Sequence, residues 1–549
     1  MNINKLSLWK SLPITVRHFL LVGAVGRYHL FRIAAEITKE FVKESRNPQQ
    51  MRLLMSLFSQ VLLACWEDDP LHTESAKQLW QLHCRFPFLD KETASVVRAV
   101  CESSTPVENS PKEVQLIRHK SVSNTRVNMH HSISLTYQLY WQAIASGNYD
   151  EARRLLERSL WSQPMERLRQ RYLALLYYLQ GDYDRWEEAI IRGGALLSEA
   201  DRYFQLGNLA FLKGDRKKAL TLWSYCLQLR PWFTQLILKM YDVANNIDRL
   251  RRPLEGKVSI CLYTYNKAEE LQKALESLAE SHLESAKIFI LINGSTDATR
   301  QIVSRWQSLL GSDRLVVIDL PVNIGAPAAR NWLMHDSQVS ESDWIVYLDD
   351  DALVPKDWLE ALGSAVLRYP NAGVWGCRVI DAWVPSILQA VDYHILPPSY
   401  AGDTTVEAPF WLSMLHYGTP DQGQFNYIRP CVHVTGCCHL FSTKTLLTSG
   451  DFDLRFSPSQ FDDLEHDFRL AFNNRPAIYQ GHLAIRHMNK TAKRAKVHVG
   501  ERGSAAANLY KLQHKYSRDD YQKLISWNMR LIEEDIFRKI EEMELDGVI

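Results

Sequence analysis

Trp344-Ile345-Val346-Tyr347-Leu348 runs directly into Asp349-Asp350-Asp351. The apolar run is short and rich in β-branched and aromatic residues, which reads as a buried strand. Three consecutive carboxylates at its mouth would repel one another unless something positive sits among them. All-oxygen ligation suits a hard divalent cation, magnesium or manganese, of the kind shared with phosphate oxygens. The alternative is a solvated acidic turn capping a helix that starts near Pro355.

The surroundings of this stretch favour an α/β domain. Lys257 to Tyr265 is strand-like, and Lys267 to Glu280 is helical with Leu271, Leu275 and Leu278 on one face. Further strands are expected at Lys287 to Ile292, Arg314 to Leu320 and Gly373 to Ile380, with helical patterns between them. That alternation predicts a mostly parallel sheet covered by helices, whose ligands sit at the carboxyl ends of the strands. No GxGxxG or GxxxxGK[ST] follows any strand, so phosphates here must be neutralised by metal and side chains rather than a backbone cradle. At the strand ends stand Thr264-Tyr265-Asn266, Asn293-Gly294-Ser295-Thr296-Asp297 and Asn323-Ile324-Gly325 leading to Arg330-Asn331. Each alone is a turn or cap signal.

Together these residues resemble the family 2 glycosyltransferases of GT-A fold, over about residues 256 to 490. Tyr-x-Tyr-Asn, Asn-Gly-Ser-Thr-Asp, Asn-x-Gly-x-x-x-Ala-Arg-Asn and Asp-x-Asp (Asp349, Asp351) fall in that family's order and spacing. Phe461-Asp462-Asp463-Leu464-Glu465-His466-Asp467-Phe468-Arg469 is similar to its Glu-Asp motif, and Ile485-Arg486-His487 to its late metal-site histidine. The resemblance implies a nucleotide-diphosphate sugar bound across the strand ends, with Mn²⁺ or Mg²⁺ bridging the diphosphate to Asp351 and His487. It places Thr264, Tyr265, Asn266, Asn293, Asn323, Arg330, Asn331, Asp349 and Asp350 on the donor. It makes Asp463 the general base that deprotonates the acceptor hydroxyl, giving inversion, with Asp462 as the fallback base. Two departures stand out: Ile292 replaces the acidic residue that commonly contacts the base, and Tyr263 replaces a usual proline. The run Lys490, Lys493, Arg494 and Lys496 either closes over the diphosphate or is a solvated basic face. The aromatic-rich stretch Trp383 to Val432 is expected on the acceptor side, with ordinary packing as the alternative.

The first half of the chain reads as helical. Apolar residues recur at helical spacing from Leu6 to about Cys101, and Glu102 to Arg126 has the serine and proline content of a linker. Gly147-Asn148-Tyr149-Asp150 is then echoed by Gly181-Asp182-Tyr183-Asp184 and by Gly214-Asp215, spaced 34 and 33 residues apart. Each unit reads as a helix, a Gly-Asx turn and a second helix, and such hairpins must stack to bury their apolar faces. The period and Leu206-Gly207-x-x-Ala210-Phe211 resemble the tetratricopeptide repeat over about residues 134 to 235. The middle unit carries Trp186 where the others have alanine, and Ser198 where they have proline, so its second helix is expected to pack differently.

The expected organisation is therefore an N-terminal helical region (1–101), a linker (102–130), tetratricopeptide-like repeats (131–250), a GT-A domain (256–500) and C-terminal helices (504–549). The 549 residues carry 64 basic against 63 acidic side chains, so no global field draws the chain to nucleic acid or anionic lipid. The early apolar run Phe19 to Val25 is far short of the roughly 20 residues that span a bilayer and reads as buried helix; no transmembrane segment is expected. Nine cysteines without metal-like spacing suggest reduced core thiols and a cytoplasmic setting. The reading that follows is a transferase whose repeats recruit a protein or peptide acceptor. The alternatives are a polysaccharide or lipid-linked oligosaccharide transferase with the repeats as scaffold, and a non-catalytic scaffold with a degenerate transferase domain.

Overall fold

The computed structural model describes residues 5–43, 47–102, 133–159, 161–191, 197–401, 408–488 and 499–549. It divides into two compact units, Met1–Phe233 with Asp546–Ile549, and Thr234–Leu545. The expected linker beyond Glu102 and the basic run at 490–496 lie outside the described residues.

The first unit is helical throughout its described residues. The apolar run at Phe19 falls in helix Ile14–Val22, where Phe19, Leu20, Leu21 and Val22 are buried. Three helical hairpins follow the 34- and 33-residue echo: Ile133–Ala145 with Tyr149–Arg158, Glu166–Leu179 with Tyr183–Ile191, and Glu199–Leu212 with Arg216–Leu229. Gly147, Gly181 and Gly214 take the left-handed conformation at their turns (φ 68°, 72° and 85°). The next residue caps the second helix: Asn148, Asp182 and Asp215 accept hydrogen bonds from the amides of Glu151, Arg185 and Lys218 at 3.2, 3.2 and 3.0 Å. Trp186 is buried against Tyr178, ring centroids 5.1 Å apart. Ser198, in place of proline, caps helix Glu199–Leu212 by accepting from the Asp201 amide at 3.2 Å.

The N-terminal helices and the hairpins share one unit because polar side chains tie them. Asp69 accepts hydrogen bonds from the hydroxyls of Tyr137 and Tyr172 and pairs with Arg27. Arg230 meets Glu67 at 2.6 Å, and the Trp232 indole donates to Gln60 at 2.8 Å. Residue 101 is thus no unit boundary, and helix Thr234–Ala244, expected with the repeats, belongs to the second unit. Gly207 offers a test of this packing. A Cβ there would lie 2.4 Å from the Trp223 ring, which is fully buried. Gly207→Ala gains about 1 kcal/mol of helix propensity but overpacks the core at about 1–3 kcal/mol. We expect a net loss of stability, read as a lowered melting temperature; a raised one would refute the packing argument.

The second unit is built on a ten-stranded mixed sheet. Its strands are β1 (Val258–Thr264), β2 (Lys287–Asn293), β3 (Leu315–Leu320), β4 (Trp344–Leu348), β5 (Ala352–Leu353), β6 (Val374–Asp381), β7 (Leu388–Ala390), β10 (Ile428–Cys431), β11 (Cys438–Ser442) and β12 (Ala477–His487); β8 (Ile395–Leu396) and β9 (Trp411–Leu412) pair separately. The main path runs β10-β12-β6-β11-β4-β1-β2-β3. Strands β3, β2, β1 and β4 are mutually parallel, as are β6 and β12, and β11 is inserted antiparallel between β4 and β6. The parallel strands therefore share one carboxyl edge. The inner residues of β1, β2, β4 and β6 are mostly buried on both faces, as a helix-covered sheet requires, while edge strand β3 is partly exposed.

The C-terminal helices dock on this unit. Tyr521, Leu524 and Ile525 pack with Phe410, Phe456, Leu464 and Phe468. Deeper along the same helix, buried Lys539 donates to the Ile428 carbonyl at 2.8 Å and pairs with Asp535 at 2.7 Å.

Candidate active site

Strand pairing brings the acidic triplet and His487 together. After β4 the chain turns back, with the Ala352 amide donating to the Asp349 carbonyl at 3.1 Å, and β5 pairs antiparallel with the end of β12, Ala352 opposite His487. His487 Nε2 comes to lie 2.9 Å from Asp351 Oδ1 and 3.7 Å from Asp349 Oδ2. Its other nitrogen, Nδ1, donates to Gln389 Oε1 at 2.8 Å, and the Gln389 amide donates to Asp381 at 3.2 Å. That bond fixes the ring and aims Nε2 at the carboxylates. Burial alone would lower the His487 pKa, but Asp351 and Asp349 raise it above the ordinary value.

The three carboxyls differ in setting. Burial raises Asp349, and raises Asp350 to about 6 against the pull of Lys267. Asp351 is buried too, yet His487 and Lys267 hold it well below the usual carboxylate range. Lys267 Nζ lies 2.9 Å from Asp350 Oδ1 and 2.8 Å from Asp351 Oδ2.

The donor set fits a divalent cation. Asp351 Oδ1 is buried and satisfied by no well-oriented hydrogen bond. It faces His487 Nε2 at 2.9 Å, near the roughly 3 Å expected between neighbouring ligands of an octahedral ion held at about 2.1 Å, and the same nitrogen lies 3.7 Å from Asp349 Oδ2. Cys437 Sγ lies in the same cluster with Asp349 and His487. Burial keeps its thiol protonated, so the set is hard oxygen and nitrogen.

The loops after β1, β2 and β3 are laced by asparagines. Asn266 Oδ1 accepts from the Thr296 amide at 2.7 Å, and the Asn266 amide donates to Ser295 at 3.1 Å. Asn293 donates to Asn323 at 3.0 Å and accepts from the Ile324 amide at 2.9 Å. Gly294 sits where these loops touch: its φ is 71°, and a Cβ would meet the Val322 carbonyl carbon at 2.4 Å. Asn331 forms a two-way bond with the backbone of Phe452, at 2.7 and 2.8 Å. These amides, expected on the donor, are thus engaged in holding the strand-end loops. Thr264 is buried at the end of β1, and Tyr265 is exposed beside it.

Arg330 is buried beneath the site, from helix Ala326–Met334. It pairs with Asp462 at 2.6 Å and lies among the rings of Tyr263, Tyr347 and Phe452, 5.2–5.9 Å from their centroids. Arg330 and Asp462 are therefore paired with each other. Asp463 is different. It is half-buried in the first turn of helix Asp462–Phe472, just after Gln460 and Phe461, both in the left-handed region (φ 76° and 69°). Such a pair of non-glycine residues is costly and clusters at functional sites. Asp463 accepts from the amides of Gly436 and Leu464, each at 2.8 Å. Burial pushes its pKa up, but His433, Arg330 and His439 overcome that and bring it to about 2.

Residues 436 and 437 join the two halves. The Gly436 amide bonds Asp463, while the Cys437 carbonyl accepts from the Asp349 amide at 3.0 Å. Lys267, Gln389 and His433 were not singled out in the sequence; only Lys267, next to the Tyr-x-Tyr-Asn run, carried a local signal. Of the aromatics expected toward the acceptor, Phe410, Phe425 and Tyr427 are core residues, whereas Trp383 and Tyr417 are exposed.

Carboxylates and an imidazole gather at the shared carboxyl edge of parallel strands, with a separate ionised carboxylate one loop away, where sheets of this kind bind ligands. Residues 259–433 match the family model described as glycosyl transferase family 2. The matched stretch, less than half of the chain, lies in the α/β unit and is similar to family 2 glycosyltransferases. The chain is 24% identical over 116 residues to glycosyltransferase GlyA of Streptococcus pneumoniae, covering 21% of this chain and 16% of that protein. It is 28% identical over 131 residues to glycosyltransferase AglE of Haloferax volcanii, covering 21% of this chain and 41% of the relative. The matched stretch thus spans less than half the length of either relative. A solved mannosyltransferase from Pyrobaculum calidifontis, in complex with GDP-Man and Mn²⁺, aligns with a TM-score of 0.35 and 16% identity over 56% of this chain and 81% of that one.

Proposed function

We propose that the protein is an inverting, metal-dependent glycosyltransferase that moves a sugar from a nucleotide-diphosphate donor to a hydroxyl of a protein or peptide recruited by the helical hairpins. The observation that carries the reading is the Gly436-Cys437 link, which bonds Asp463 on one side and Asp349 on the other, where His487 contacts both Asp349 and Asp351. Asp351, Asp349 and His487 would hold the cation, which when bound supplies positive charge to the departing diphosphate. Asp463 accepts the acceptor's proton as the acceptor oxygen bonds the anomeric carbon. The bond from that carbon to the diphosphate oxygen breaks, its electron pair leaving with the diphosphate. Base and leaving group lie on opposite faces, which inverts the centre.

A panel of nucleotide sugars titrated with and without Mn²⁺ tests the donor half. One donor should bind in a metal-dependent way, and Asp351→Ala should weaken that binding at least about 10-fold, the scale on which metal-site residues act. Absence of binding to every donor would overturn the reading. The acceptor half rests on the apolar side chains left exposed on the hairpins, among them Tyr183, Ile191, Tyr225 and Leu229, a chemistry suited to peptide contacts. Tyr225→Ala with Leu229→Ser should slow transfer to a protein acceptor while donor hydrolysis is unchanged. Equal loss of both activities would refute recruitment.

A further inference from the structure

Lys267 sits among the site's carboxylates, yet the transfer chemistry above does not use it. It follows β1 by three residues, at the start of helix Ala268–Ala279. Its ammonium bonds Asp350 and one oxygen of Asp351, at 2.9 and 2.8 Å, while the other oxygen of Asp351 faces His487. Asp351 is thus shared between a resident cation and the place of a second one. The two carboxylates are about 5% exposed, whereas the lysine side chain is 42% exposed. The ammonium therefore covers them on the solvent side.

Resting on the transferase reading, we propose that Lys267 makes the divalent ion enter together with the diphosphate rather than ahead of it. The argument is one of charge. Asp349, Asp350 and Asp351 with Lys267 carry two net negative charges when ionised, which one divalent ion neutralises. A doubly charged diphosphate then meets a neutral pocket with two cations in it. Without the lysine, the bare carboxylates attract the free ion more strongly, yet the loaded site stays negative and repels the diphosphate. The lysine gives up affinity for the ion alone and gains affinity for the ion with its diphosphate. A compact, flexible ammonium suits this, since it can follow the phosphate oxygens when they arrive.

The test compares wild type with Lys267→Met and Lys267→Arg in the full chain. Mn²⁺ alone is titrated by electron paramagnetic resonance, and UDP and GDP by calorimetry in the presence of Mn²⁺. Lys267→Met should bind free Mn²⁺ on the order of tenfold more tightly, and the nucleoside diphosphate with Mn²⁺ on the order of tenfold more weakly, the scale of one unit charge acting on a divalent ion about 5 Å away in water. Lys267→Arg should bind free Mn²⁺ as wild type does. Lys267→Gln serves as the neutral variant if Lys267→Met does not fold. If both affinities fall together, or neither moves, while wild type binds a nucleoside diphosphate, the inference is overturned and the transferase reading stands. If wild type binds neither UDP nor GDP with Mn²⁺, the transferase reading fails and takes the inference with it.

Discussion

Replacing Asp463 with asparagine is expected to slow sugar transfer by about 10²–10⁴-fold, the contribution of a positioned general base, while leaving donor affinity within about twofold. The carboxylate is half-buried, and the amides of Gly436 and Leu464 fix both of its oxygens. Asparagine keeps the size and removes the charge and basicity, at the cost of one of the two accepted hydrogen bonds, since its NH2 cannot accept. Single-turnover rates with saturating donor, set beside calorimetric donor binding, check this. The fallback base, Asp462, gives the contrast: it is buried in its pair with Arg330 at 2.6 Å, so its loss should appear first as instability. A Asp463→Asn enzyme retaining wild-type turnover would sink the assignment.

The same carboxyl predicts a pH dependence. Its folded pKa, about 2, lies below the ordinary carboxylate value because His433, Arg330 and His439 outweigh its burial. Stability and basicity from this group are therefore present above the ordinary carboxylate range, and are lost only as pH falls through the folded value. Between about pH 5 and 8 the group stays ionised, so a fall in turnover within that window must come from another residue. A wild-type profile with an acid limb that disappears in Asp463→Asn, measured on residual activity, would contradict this.

The sequence made some of this legible, and physics explains which parts. The carboxylates after β4 could be read because a buried strand announces its own end, and the hairpins because a Gly-Asx pair is a local signal with one conformational meaning. What pairs with those carboxylates is not local. His487 reaches Asp351 through the β5–β12 and β6–β12 registers, and only its resemblance to a family motif marked it. Gln389 lies in a stretch without periodicity, and nothing in its neighbours shows that it will orient His487. The asparagines were legible as turn residues, but their loop-to-loop bonds depend on which strands lie side by side. The division into compact units follows contacts of the same kind. Helix Thr234–Ala244 has the apolar content of a repeat helix, yet its Asp242 accepts from the Ile428 amide at 2.6 Å and contacts His482 at 2.8 Å. Those partners lie far along the chain, and no spacing pattern encodes them.

Replacing Arg330 with methionine is expected to destabilise the second unit by about 3–5 kcal/mol, the cost of leaving one member of a buried ion pair without the other. Arg330 is 4% exposed, and Asp462, 2% exposed, would lose the guanidinium that it bonds at 2.6 Å and that offsets its burial. The loss is compounded because the guanidinium also lies under Gly436, where a Cβ would come within 2.7 Å of both Arg330 and Asp463. The loop that bonds the proposed base therefore rests on this side chain, and its removal should disorder the base as well as the fold. Restoring neutrality separates the two effects. In Arg330→Met with Asp462→Leu, no uncompensated charge remains among Tyr263, Tyr347 and Phe452, and most of the lost stability should return, as it does when buried pairs are replaced by apolar groups of similar volume. Activity should not return, because neither substitution rebuilds the support beneath Gly436. Denaturant unfolding of the four proteins in the cycle reads the coupling directly. A double variant no more stable than Arg330→Met would show that the arginine acts through packing on the aromatic rings rather than through its charge.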